Sequence, residues 1–92
     1  MECVEIIREG ITYQVLYGTF DNGFLIKVCH GVYESQRIIP LNELEEWKKT
    51  NNLYWRIPAI ILNLIKTVNI QSIHEIYKDV DYHIKHMKGV KE

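Results

Sequence analysis

From Cys3 to Ile39 apolar residues recur at every second position in short runs broken by turn-forming pairs, the period of a strand with one buried face. Ile11, Tyr13, Val15 and Tyr17 fall on one side of such a run, with Thr12 and Gln14 on the other. Phe24, Ile26 and Val28 alternate in the same way with Leu25, Lys27 and Cys29. Runs at Cys3–Arg8 and Val32–Ile39 complete four strands, and Pro40, which has no N–H to donate, stops the last. Reversals are predicted at Glu9-Gly10, Asp21-Asn22-Gly23 and His30-Gly31. Asn-Gly is the strongest signal, because both residues tolerate the positive φ of a type I′ hairpin.

From Asn42 the period lengthens to that of a helix. Asn42 and Glu45 form a capping pair that predicts a short helix over Glu43–Lys49, ended by Asn51-Asn52. Ile57, Ile60, Ile61, Leu64, Ile65 and Val68 share one face of a second helix, with Pro58 in its first turn, where a missing N–H costs nothing. Ser72 and Glu75 form another capping pair. They open a third helix whose stripe is Ile73, Ile76, Tyr77, Val80, Ile84 and Met87, ending before Gly89. Only Gln71 and the cap separate the two long helices, so a helical hairpin is expected. The predicted fold is α+β, a four-stranded antiparallel meander packed on one face by one short and two long helices. Residues 1–92 read as a single domain, with a β half over 1–41 and a helical half over 42–92; a small closed barrel is the alternative.

Composition narrows the function classes. The 92 residues fit one core, and 47% hydrophobic with 25% charged residues matches an ordinary globular domain. Eleven Lys and Arg against twelve Asp and Glu leave a net charge of −1, too balanced for a dedicated nucleic-acid binder. Cys3 and Cys29, without CxxC spacing, read as reduced thiols of a cytoplasmic protein, with one bridge between them left open. No basic leader is evident, and the apolar run Ile57–Leu62 is too short for a membrane span, so no membrane role is expected. Fourteen isoleucines, eight lysines, six asparagines and six tyrosines against one alanine follow AT-rich codons, which suggests an AT-rich genome such as those of many low-GC bacteria, their phages and some archaea.

Three constellations merit weighing as chemistry. Asp79, His83 and His86 share a helix face with Glu75 and are weak candidates for a zinc-type site, although HxxH alone describes a solvated flank equally well. Cys29 and His30 are adjacent, but successive strand residues point to opposite faces and cannot form a nucleophile–base pair. Two helices joined at Ser72 invite a helix-turn-helix reading, in which Arg56, Lys66, Lys78, Lys85 and Lys88 would touch phosphates. Two core helices packed as a hairpin are the simpler account. No nucleophile elbow, HExxH, phosphate loop or dinucleotide-binding glycine pattern occurs, so no catalytic residues and no cofactor are expected.

Trp47, Tyr54 and Trp55 bracket the junction of the first two helices, either closing the core or forming a contact surface. Leu16 and Leu25 interrupt the polar pattern of the outer sheet face. The expected function is therefore a small, non-catalytic protein-binding or regulatory module, such as an inhibitor or modulator from a mobile element. It would dock onto another protein, or its own copy, through Leu16, Leu25, Trp47, Tyr54 and Trp55. A nucleic-acid-binding regulator is the first alternative and a metal-binding protein the second.

Overall fold

The computed structural model describes the backbone of Met1–Lys91 and the side chains through Met87. Strands β1 (Glu2–Arg8), β2 (Ile11–Phe20), β3 (Gly23–His30) and β4 (Tyr33–Pro40) form an antiparallel sheet in chain order. Helices α1 (Leu41–Lys49) and α2 (Leu53–Lys91) follow, so the α+β architecture is the one the patterning predicts. Register places Val4 opposite Val15 and Val15 opposite Val28, which collects the alternating apolar set on one face.

Tight turns hold that register. Glu9 and Gly10 have φ of 53° and 77°, and Asp21 and Asn22 have 50° and 63°, the paired positive values of type I′ hairpins. The second turn thus sits one residue earlier than Asn-Gly implies, and Phe20 pairs with Gly23. Gly23 is needed for packing instead. It is buried, and a Cβ there would lie 2.7 Å from the carbonyl oxygen of Ile39.

The inner face supplies Tyr13, Val15, Ile26, Val28 and Ile39 to the core, against Trp47 of α1 and Ile60, Leu64, Ile65 and Val68 of α2. Val28, Ile39 and Val68 are fully buried. Tyr13 is buried too, and its hydroxyl donates to Asn69 Oδ1 at 2.6 Å. That bond satisfies the polar end of a buried ring and ties β2 to α2.

Helix α1 begins at Leu41, not after a cap at Asn42. Pro40 occupies the N-cap with no side-chain bond, and the Leu41 N–H is taken by the Asn22 carbonyl at 3.2 Å. A neighbouring turn thereby fills part of the role that an Asn42 cap would have had. Asn51-Asn52 does end the helix. Asn51 adopts φ of 62°, and the Asn51 and Asn52 N–H groups return to the carbonyls of Lys48 at 3.3 Å and Trp47 at 2.7 Å, a Schellman arrangement.

The largest difference from expectation lies beyond Val68. No hairpin forms, because α2 runs as one helix of 39 residues from Leu53 to Lys91. Ser72 does not cap a helix; its Oγ donates to the Asn69 carbonyl at 3.0 Å, as a mid-helix serine does. No glycine or proline lies between Pro58 and Gly89, so nothing in the backbone forces a reversal, and Gly89 falls inside the helix. Starting at Leu53 also moves Pro58 to the second turn, where its missing N–H leaves the carbonyl of exposed Tyr54 without a helix donor. The resulting molecule measures 67 × 25 × 23 Å.

Replacing Gly23 by alanine should cost about 1–3 kcal/mol in urea unfolding, because the added methyl meets backbone that belongs to the neighbouring strand. Tyr13→Phe should cost about 1 kcal/mol in the same assay by leaving Asn69 without its donor.

Candidate functional site

The helices cover the inner sheet face unevenly. Helix α2 packs on β3 and β4 and leaves, toward β1, an open cleft of about 360 Å³ bordered by Val4, Tyr17, Phe24, Leu44, Leu53 and Ile57. The Tyr17 hydroxyl apart, those side chains are hydrocarbon, so the cleft can bury an apolar group but presents no acid, base or nucleophile to it.

At the corner between α1 and α2 the Arg56 guanidinium sits between two indoles, 5.0 Å from the Trp47 ring centre and 4.6 Å from that of Trp55. Trp55 Nε1 donates to Asn52 Oδ1 at 2.9 Å, which fixes the outer ring. Arg56 Nε is buried without a hydrogen-bond partner. The arginine is thus held as a wedge between the two rings. Trp47 belongs to the core, which corrects its assignment to a contact surface, whereas Trp55 and Tyr54 are exposed.

On the outer sheet face Leu25 is buried, flanked across the strands by Gly18 and Ile38, so it too is no free contact residue. A central strand covers its residues on both sides, which periodicity alone does not convey. Leu16 is half-buried opposite Cys3 and Lys27. Lys27 meets Glu34 at 3.0 Å, and that hydrogen bond, together with the attraction of the charges, holds its ammonium above the ordinary lysine pKa. Cys3 and Cys29 are both free; strand spacing and rise separate them by roughly 12 Å, beyond disulfide reach. His30 lies on the inner face, its ring centre 5.6 Å from that of Tyr13, so it is turned away from Cys29.

The projecting part of α2 carries the most exposed apolar surface. Ile73, Ile76, Tyr77, Val80, Ile84 and Met87 are each between 44% and 66% exposed. At 100° per residue, the mean direction of this stripe lies about 140° from that of the Ile57–Val68 stripe on the sheet. Gln71, Glu75 and Lys78 occupy the sheet side and His74 stands at the border between it and the stripe, and all four line a groove with Val32, Tyr33 and Glu34. The second stripe therefore faces away from the rest of the molecule. Its signal was present in the sequence as two stripes out of phase with no helix breaker between them.

The remaining candidates lie along the same helix. Among the described residues no three His, Cys, Asp or Glu side chains are placed to hold a metal ion, so Asp79, His83 and His86 do not converge. Tyr82 instead packs at 5.8 Å from His83 and stacks on His86 at 6.0 Å. Lys78 and Lys85 pair with Glu75 at 3.7 Å and Asp81 at 3.1 Å, Lys66 is exposed, and the Lys88 side chain lies outside the described residues. With no turn at Ser72, the helix-turn-helix expected there does not form. No helix of the described residues is long and apolar enough to cross a membrane. Comparison with known proteins finds no matching family model, no matching curated protein and no matching solved structure.

Trp47→Ala should destabilise the protein by about 3–5 kcal/mol in urea unfolding, whereas Tyr54→Ala should change it by less than about 0.5 kcal/mol.

Proposed function

We propose that this chain is a small, non-catalytic association module that acts through the outward apolar stripe of α2 on another protein or on its own copy. The observation that carries this reading is the exposure of Ile73, Tyr77, Val80 and Ile84 on a helix whose sheet-facing side is already supplied by Ile60, Leu64 and Val68. A helical stretch of roughly 20 residues is only marginally stable in water and owes its order to whatever packs on its apolar face. Contiguous exposed apolar surface of several hundred Å² marks contact sites in general. The charges along the helix are mixed in sign, which favours a protein partner over a polyanion. Two free thiols suit a reducing, cytoplasmic setting.

The test compares the wild-type chain with Val80→Glu/Ile84→Glu, and with Leu16→Glu on the outer sheet face as a second surface. Sedimentation gives the mass in solution, and immobilised chain is challenged with extract of the source cell. Association that is lost in the α2 variant, with cooperative unfolding of the sheet and core retained and the Leu16 variant still associating, is the expected result. Binding that survives the α2 changes, or a monomer that retains no protein through this stripe, overturns the reading.

A further inference from the structure

We infer that the partner of the α2 stripe is a second copy of this chain, whose own α2 lies antiparallel across Ile70–Met87. This inference rests on the association reading above and names its partner. The grounds are the register of the stripe, its flanking charges and its area.

Apolar residues stand at 70, 73, 77, 80, 84 and 87, alternating steps of three and four. That is an unbroken heptad seam over 18 residues, about 27 Å of helix. Laid antiparallel, one register pairs every member. Ile70 opposes the partner's Met87, Ile73 opposes the partner's Ile84, and Tyr77 opposes the partner's Val80. A two-fold axis repeats the same three layers, so no seam residue is left over and the large ring of Tyr77 meets a small side chain.

The flanks agree with that direction. His74 falls beside the partner's Asp81, and symmetry supplies the reciprocal pair, an imidazole N–H facing a carboxylate. Asp81 already accepts from Lys85 at 3.1 Å and keeps further acceptor capacity. On the other flank Ile76 meets the partner's His83. Parallel pairing of the same seam would put Tyr77 on the partner's Tyr77, set Asp81 against the partner's Ile76 and crowd both sheets at one end.

Area is sufficient as well. From their fractional exposures, the six seam residues and Ile76 present on the order of 700 Å² per copy. Complete burial of that surface on two copies gives an upper value of about 1,400 Å², inside the range of about 1,200–2,000 Å² for stable interfaces. The seam faces away from the β3–β4 turn, and antiparallel pairing sends the two sheets to opposite ends, so neither obstructs the other.

Two chains test this, one with Ile73→Cys and one with Ile84→Cys, both carrying Cys3→Ser and Cys29→Ser. They are mixed and oxidised, and the wild type is sedimented in parallel with Val80→Glu. The expected results are a cross-link joining position 73 to position 84, a wild-type mass twice the 11.0 kDa of one chain with an unfolding midpoint that rises with concentration, and a monomeric Val80→Glu protein that still unfolds cooperatively at a midpoint independent of concentration. Links joining 73 to 73 overturn the antiparallel arrangement. A monomeric wild type that captures a different protein through the stripe overturns the second copy while leaving the association reading intact, and a monomer that captures nothing through it removes both.

Discussion

A helix can turn only one side to a sheet, and α2 carries apolar residues on two sides about 140° apart. That mismatch governs the molecule. The sheet takes the Ile57–Val68 side, and burial of Ile60, Leu64, Ile65 and Val68 fixes how the helix is rotated about its axis. Once that rotation is set, every later residue has its direction decided. The bond from Tyr13 to Asn69 stands at the changeover, one residue past the last core valine, and resists any twist of the helix that would bring the second side inward.

The corner between the two helices sets where α2 starts its path across the sheet. Asn51 in the left-handed region reverses the chain within two residues, and the Trp47–Arg56–Trp55 stack fills the angle so made. An arginine suits this place because its flat, weakly hydrated guanidinium stacks on rings as an aromatic would. The same placement leaves the β1 side of the inner face uncovered, so the apolar cleft and the tryptophan corner are two results of one helix trajectory.

Much of this was legible from residue order, for physical reasons that differ by element. The strands were readable because a period of two between tight turns has few other solutions. The β2–β3 turn slipped by one residue because aspartate tolerates positive φ nearly as well as asparagine, while Gly23 is reserved for close approach to Ile39. Ser72 and Glu75 resemble a helix start, but a capping pair is a local and modest preference, and without a breaker nearby the helix simply continues. At the level of the site, Trp47, Tyr54 and Trp55 were read together as core or contact residues, whereas Trp47 is buried and the other two are exposed, and Leu25, read as a contact residue, is buried too. Their burial depends on cross-strand and interhelical neighbours that no one-dimensional pattern records.

The continuity of α2 has a mechanical meaning. Met87, near the far end, stands 27 residues beyond Ile60 in the core, so the helix is a beam of about 40 Å with no interruption along it. The core residues act as its fulcrum, Ile57 and the cleft beside it lie on the short arm, and Met87 lies on the long one. Sideways force at the tip is therefore delivered, multiplied by leverage, to the mouth of the cleft.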